Sequence, residues 1–129
     1  MSHFSTVKTQ LRKKEPLLQA LFDLGYNPQE GEHLVRGFRG QTTKAEMALT
    51  MPNGGDIGFR WNPNTNSYEL VTDLDLWDQP IPVERFLAKL TQRYALNTVL
   101  AATANEGFQV AEQKNNSDGS IELVVTRWD

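Results

Sequence analysis

The sequence predicts an α+β fold of two layers, in which a largely antiparallel sheet carries two helices packed on one face, in the order β-α-β-β-β-β-α-β-β. Three observations predict it. Consecutive segments of alternating apolar and polar residues are joined by short turns, two segments have apolar residues at helical spacing, and two further strand-like segments flank a late turn. A chain of 129 residues has the size of one domain, so we expect residues 1–129 to form a single domain.

The first two elements are a short strand and a helix. Residues 4–9 alternate in polarity, with Phe4 and Thr6 on one side of the strand. The helix begins near Pro16, because a first helical turn does not need the N–H that proline lacks. Its apolar residues recur at helical spacing: Leu17, Leu18, Leu21, Phe22 and Leu24. Gly25 is placed to end the helix with a left-handed cap.

The middle of the chain predicts four strands. Residues 34–38 form the first, and the next three alternate strictly around residues 45–51, 57–61 and 68–72. The turns between the last three strands fall at residues 52–55 and 62–66, which are rich in proline, asparagine and glycine. Connections this short require antiparallel neighbours, so we expect these three strands to form a meander.

The last elements are a long helix and a hairpin. Pro80 and Pro82 make residues 74–82 irregular, and the helix begins near Pro82 and ends near Gly107. Its apolar stripe comprises Val83, Phe86, Leu87, Leu90 and Tyr94. Residues 108–113 and 121–128 are two strands joined by a turn at residues 115–119.

Composition excludes several classes of site. The chain has no cysteine, which excludes disulfides, thiolate metal sites and a cysteine nucleophile. Its net charge of −3 does not favour nucleic-acid binding, and we expect no nucleic-acid partner. Its apolar runs are much shorter than the roughly 20 residues that span a bilayer, so we expect a soluble, cytoplasmic protein.

No residue pattern supports catalysis or a bound cofactor. His3 and His33 lack the spacing of a metal site, and the phosphate-cradling glycine motifs are missing. Only His3 has serine neighbours, Ser2 and Ser5, and a chain end is a poor platform for a catalytic triad. We therefore expect a protein that is not an enzyme and has no cofactor and no metal site.

An acidic segment precedes the second helix. It contains Asp75, Leu76, Trp77 and Asp78. A calcium-binding loop counted from Asp73 would have Glu84 at its last position, but Asp78 replaces the required glycine and Pro80 and Pro82 interrupt the loop. Three interpretations stay open: a docking patch for a partner with Trp77 as its anchor, a weak magnesium site, or a solvated loop whose apolar side chains enter the core. The last is favoured.

Basic residues on the second helix form a ridge. Arg85, Lys89 and Arg93 recur every four residues and share one face, opposite Phe86 and Leu90. The ridge is either the solvated side of an amphipathic helix, which is favoured, or a contact surface for a protein or phosphate-bearing partner.

A second basic segment lies near the start of the chain and contains Lys8, Arg12, Lys13 and Lys14. It suits a peripheral contact with anionic lipid headgroups or with an acidic partner. It is equally consistent with a charged entrance to the first helix.

Three arginines in the predicted sheet define an alternative site. Arg36, Arg39 and Arg60 either converge to bind an anion, a small ligand or a metal-bearing group, or pair with Glu46 and Glu69. Pairing is favoured.

Several short motifs, in order along nearly the whole chain, point to a known family. They lie at residues 1–4, 23–26, 35–40, 56–59, 87–95, 118–121 and 127–128. Together they resemble the family of hypothetical chloroplast reading frame thirty-five, found in cyanobacteria and algal plastids. The resemblance implies a domain of unknown function without agreed catalytic residues, in the cytoplasm or the plastid stroma. It also implies a role in the biogenesis of a photosystem, with photosystem I favoured.

Three functions are consistent with these features. The first is a non-catalytic accessory factor that contacts a photosystem subunit or an assembly intermediate through the second helix and the acidic segment. The second is a small-ligand, anion or metal-binding module that uses the three arginines. The third is a subunit that works only within a larger enzyme.

Overall fold

The computed structural model of the protein describes residues 4–105, 108–115 and 120–127. Its elements are β1 (Phe4–Lys8), α1 (Lys14–Asp23), β2 (Gln29–Arg36), β3 (Thr42–Leu49), β4 (Ile57–Asn62), β5 (Ser67–Asp73), α2 (Val83–Asn105), β6 (Phe108–Asn115) and β7 (Ile121–Arg127). The predicted α+β class and element order are confirmed. His3, the predicted helix end at Gly107, the turn at residues 116–119 and Trp128 lie outside the described residues.

The strands form two separate sheets. Five antiparallel strands lie in the order β1-β5-β4-β3-β2, which confirms the predicted meander of β3, β4 and β5. The hairpin of β6 and β7 is a second sheet that contacts α2, so the expectation of one sheet is corrected. The 23 residues of α2 carry the chain about 34 Å, which takes the hairpin away from the edges of the large sheet.

One face of the large sheet packs against both helices. Phe59 and Leu70 of the sheet, Leu17 of α1 and Phe86 and Leu90 of α2 are almost fully buried in one cluster. This is the layer arrangement that the alternating strands and the amphipathic helices predict.

The end of α1 follows the predicted cap. Gly25 has a φ of +92°, and its N–H donates to the carbonyl of Phe22 while the N–H of Tyr26 donates to that of Leu21. This is a Schellman motif, in which the left-handed residue favours glycine.

The end of β2 lies close to β4, outside the main core cluster. Val35, Ala45 and Ala48 form a small cluster there, and Phe4 packs against it. A Cβ on Gly58 would meet the side chain of Val35, so this close approach requires glycine. Strand β2 is longer than the predicted residues 34–38 because its first half is an exposed edge with a bulge, which carries no alternating apolar pattern.

Candidate partner-binding surface

One side of α2 faces away from the core along most of the helix. We call Arg85, Lys89, Gln92, Ala95 and Val99 the outer stripe of α2. They follow one another at intervals of three or four residues, which places them on one face, and all five are exposed. Arg85 and Lys89 form no ion pair with any acidic side chain in the part of the chain that the structure describes. The first half of the outer stripe is therefore cationic.

The third residue of the predicted basic ridge does not belong to this stripe. Arg93 Nε lies 2.8 Å from Asp23 Oδ2, and Asn97 and Gln19 also donate to that carboxylate. The contact joins α2 to the end of α1, so Arg93 acts inside the fold. The prediction of three outward cations is corrected to two.

An apolar depression lies at the other end of the outer stripe. It has a volume of about 330 Å³ and lies between α2 and the start of β7, and we call it the α2–β7 trough. Its lining comprises Gln92, Ala95, Leu96, Val99, Ser120 and Ile121.

The lining of the α2–β7 trough shows where the hairpin packs. Leu96 is 5% exposed although its helical position places it on the same side of α2 as Arg85 and Lys89. Val99 is 47% exposed. The sequence patterns did not predict this trough. The signal they offered was the apolar pair Leu96 and Val99 on the outer side of α2, because the contribution of Ile121 depends on tertiary packing.

A second depression lies between the two helices. Its volume is about 420 Å³, and its lining is Glu15, Pro16, Gln19, Asn97, Leu100 and Ala101. Its rim thus carries an acid and two amides.

The acidic segment is largely folded against the core. Trp77 is half-buried, its Nε1 donates to the carbonyl of Ile81 at 2.8 Å, and its ring meets Phe86 edge to face at 5.5 Å. The carbonyl of Leu76 accepts from Asn53 Nδ2 at 2.8 Å. Trp77 therefore packs against the core, as the favoured interpretation expects, and is not available as an exposed anchor, whereas Leu74 is 44% exposed.

The aspartates of this segment have different surroundings. Asp73 is buried, and its carboxylate accepts the N–H groups of Phe38 and Asp75, which fixes the short helical turn Leu74–Leu76. The side chains of Asp75 and Asp78 are exposed on the surface.

The three arginines of the alternative site do not converge. Arg36 Nε lies 2.9 Å from Asp56 Oδ2, and Arg60 Nη2 lies 3.5 Å from Glu69 Oε2. Arg39 is exposed, and its guanidinium lies 5.1 Å from the ring centre of Phe38. Pairing with Glu69 is confirmed, whereas Arg36 has a partner that sequence spacing did not indicate. Glu46 instead accepts the N–H of Trp61 at 2.8 Å.

Asp56 is the buried centre of the contact with Arg36. Its side chain is 2% exposed and accepts from Arg36 Nε, Arg36 Nη2, and the backbone N–H groups of Arg36 and Met51, at 2.8–3.0 Å. Burial raises the pKa of this carboxyl, but the hydrogen bonds from Arg36 and Met51 outweigh it, so the pKa lies below its ordinary value of 3.8.

Acid should weaken the fold through Asp56 and Asp23. Burial raises the pKa of Asp23, but the hydrogen bonds from Arg93, Gln19 and Asn97 lower it by more, so the folded-state pKa values of Asp23 and Asp56 both lie below 3.8. The unfolded chain then binds more protons than the folded one below about pH 5, and stability falls as the pH drops from there through the folded pKa values. We expect urea unfolding at stepped pH to show this loss. In Asp23→Asn/Asp56→Asn the slope should be shallower, and in Glu32→Gln unchanged; an unchanged slope in the double variant would contradict the assignment.

The basic residues near the start of the chain lie beside the entrance to α1. Lys14 Nζ lies 3.2 Å from Glu30 Oε1, and this contact raises the pKa of Lys14. Lys8, Arg12 and Lys13 are exposed, and the backbone N–H groups of Arg12 and Lys13 donate to the Tyr94 hydroxyl at 3.1 and 2.9 Å. One of the four predicted cations is thus paired within the fold, and three face outward.

The described residues contain neither a membrane-spanning helix nor a metal-ligating cluster. Neither of the described helices is both long and apolar enough to cross a bilayer. Among these residues, no three metal-ligating side chains gather around one point, and His33 Nε2 lies 2.6 Å from the carbonyl oxygen of Glu30.

Comparisons with known proteins find one family. The model of the family described as "Protein of unknown function (DUF1257)" matches residues 20–124. Proteins named "Uncharacterized protein ycf35" are similar over 128 residues, which is 99% of this chain and 98% of each relative: 41% identical in Guillardia theta, 38% in Pyropia yezoensis and 38% in Cyanophora paradoxa. No solved structure matches the chain.

Proposed function

This chain belongs to the family described as "Protein of unknown function (DUF1257)", and from that premise we propose that it is a non-catalytic accessory factor for a photosynthetic membrane complex. Photosystem I is the favoured complex. The factor acts by protein–protein contact during biogenesis or maintenance, and the partner is a photosystem subunit or an assembly intermediate. The family resemblance drawn from the sequence is confirmed, and the occurrence of relatives in algal plastids supports a photosynthetic role.

The outer stripe of α2 is the observation that carries the proposal. Arg85 and Lys89 stand exposed one turn apart and are followed on the same face by the α2–β7 trough. A charged rim steers the encounter with a partner, while an apolar pocket supplies the binding energy of an anchoring side chain. The outer stripe combines both features over about 21 Å of helix.

The charge of the stripe contrasts with that of the whole protein. The net charge is −3, so Arg85 and Lys89 form a local positive area on an acidic molecule. A partner with an acidic surface is attracted to this area and repelled by most of the remaining surface. Electrostatics therefore favours docking through a positive area, and the apolar trough beside Arg85 and Lys89 distinguishes this area from that of Lys8, Arg12 and Lys13.

The proposed location is the cytoplasm or the plastid stroma, at the surface of the photosynthetic membrane. The exposed cations Lys8, Arg12 and Lys13 suit a peripheral contact with anionic headgroups there. This contact supplements the protein partner, because a few surface charges alone bind a membrane weakly.

Reversing the two cations should weaken partner capture. We expect tagged Arg85→Glu/Lys89→Glu, expressed in a phototrophic cell, to co-purify with about tenfold less photosystem I protein, because reversal replaces attraction by repulsion at the docking surface. Quantitative mass spectrometry of the purified material is the measurement.

A control variant separates the local effect from that of total charge. Arg39→Glu/Lys44→Glu changes the net charge by the same amount on another surface, where both side chains are exposed. We expect it to retain most of the photosystem I protein. Equal losses in both variants, or unchanged recovery of every photosynthetic complex with Arg85→Glu/Lys89→Glu, would overturn the proposed docking surface.

A further inference from the structure

We infer that the partner presents an acidic amphipathic helix to α2, with carboxylates on Arg85 and Lys89 and one apolar side chain in the α2–β7 trough. This inference rests on the proposed function and adds the chemistry of the partner. It assigns one occupant to the outer stripe of α2.

The spacing along α2 fixes where the anchor lies. Lys89 and Leu96 are seven residues apart on the same face, so this apolar wall of the trough lies about 10 Å along the axis from the last cation. On a facing helix, the same distance separates residues nearly two turns apart. One helical segment therefore reaches both features with side chains on a single face, as helices do when they bind in grooves.

The lining of the trough selects an apolar side chain. Ala95, Leu96, Val99 and Ile121 supply apolar walls, and Gln92 is the lining residue nearest the cations. A volume of about 330 Å³ is at the small end of the range for ligand pockets, which suits an aromatic or aliphatic side chain. Val99, at 47% exposed, is the apolar surface that such an anchor would remove from water.

Charge distinguishes this trough from the depression between the helices. The latter has Glu15, Gln19 and Asn97 at its rim and no cation in its lining. The α2–β7 trough lies at the end of a line that contains Arg85 and Lys89. An acidic segment is therefore complementary to the α2–β7 trough and not to the other depression.

Labelled peptides test the inference directly. The probes are fluorescein-labelled helices of about eighteen residues that carry two glutamates one turn apart and a phenylalanine nearly two turns from the nearer glutamate. Two probes have opposite orders of these features, and further probes replace phenylalanine by alanine or glutamates by lysines. We expect fluorescence anisotropy to show saturable binding of the probe with one of the two orders. Replacing its phenylalanine by alanine should abolish this binding, and replacing its glutamates by lysines should weaken it.

Filling the trough supplies the matched comparison. Ala95→Trp occupies the α2–β7 trough, whereas Ala101→Trp places the same bulk in the other depression on the same helix; both alanines are exposed. We expect Ala95→Trp to weaken peptide binding at least tenfold and Ala101→Trp to change it less than twofold. Arg85→Glu/Lys89→Glu should reverse the preference and favour the lysine probe. Thermal unfolding of both tryptophan variants checks that each is folded.

The outcomes separate this inference from the proposed function. No binding of either probe order below about 1 mM, or equal effects of Ala95→Trp and Ala101→Trp, overturns the acidic helix as the occupant. If photosystem I recovery still depends on Arg85 and Lys89 in that case, the proposed function stands without this inference. If that recovery is also unchanged, both fall.

Discussion

Asp56→Ala is expected to lower the free energy of unfolding by about 3 kcal/mol, the loss typical of removing one partner from a buried ion pair. The carboxylate is 2% exposed and accepts both the Arg36 guanidinium and two backbone N–H groups. Alanine leaves the N–H groups of Arg36 and Met51 without this acceptor, and each buried donor left unpaired costs about 1–3 kcal/mol. In a domain of this size the melting temperature should fall by about 10 °C, as measured by calorimetry.

Two further variants show which bonds matter. Arg36→Ala keeps the carboxylate with its backbone donors, and the Arg36 side chain is 46% exposed, so this variant should lose less stability than Asp56→Ala. Asp23→Ala removes the more accessible ion pair with Arg93 and should cost about 1 kcal/mol or less. Equal losses in Asp56→Ala and Arg36→Ala would show that the ion pair, and not the backbone anchoring, dominates the contact.

Gly58→Ala is expected to lower the free energy of unfolding by about 2 kcal/mol, the usual range for overpacking a filled interior. Alanine normally stabilises a strand relative to glycine, so the sign of this change is diagnostic. A Cβ at this position would collide with Val35 Cγ2 and approach the Cβ of Ala45 to 3.0 Å. These contacts exist because Val35 of β2 and Ala45 of β3 pack together against Gly58 of β4. Chemical denaturation of the purified variant is the measurement.

A double-mutant cycle tests the cause of that loss. Val35→Ala alone leaves a cavity, which the new methyl group of Gly58→Ala can occupy. The double variant should therefore be more stable than the sum of the single effects predicts, by about 1 kcal/mol. Val71→Ala is the control, because Val71 lies opposite Gly58 on β5 but farther from the added Cβ than Val35 and Ala45. A larger coupling with Val71 would contradict the proposed collision.

Ion pairing within the fold accounts for many of the cations and leaves few for the proposed docking surface. Five of them form ion pairs among the described residues: Lys14, Arg36, Lys44, Arg60 and Arg93. These pairs join elements of the fold or neighbouring strands. Arg85 and Lys89 are exposed without such partners on one continuous helix face, so they supply the local positive charge that the proposed docking needs.

Local patterns were sufficient to predict the elements. The period of two in β3, β4 and β5, the helical spacing in α1 and α2, and the turn residues between them act over a few residues along the chain. Gly25 is an example, because its positive φ and the two hydrogen bonds of the helix cap involve only residues 21–26. The cation pair Arg85 and Lys89 was also visible, since their shared face follows from helical spacing alone.

The sequence by itself thus determined the α+β class, the order of the elements, the family and the cationic face of α2. Tertiary structure decided that Arg36 meets Asp56, that Arg93 meets Asp23, that Trp77 packs on Phe86, and that the hairpin builds a trough against α2. The physical reason is the separation along the sequence between the residues that interact. Backbone hydrogen bonding and burial of one helix or strand face depend on neighbours in sequence, whereas ion pairs and pockets join side chains that only the packing of distant elements brings together.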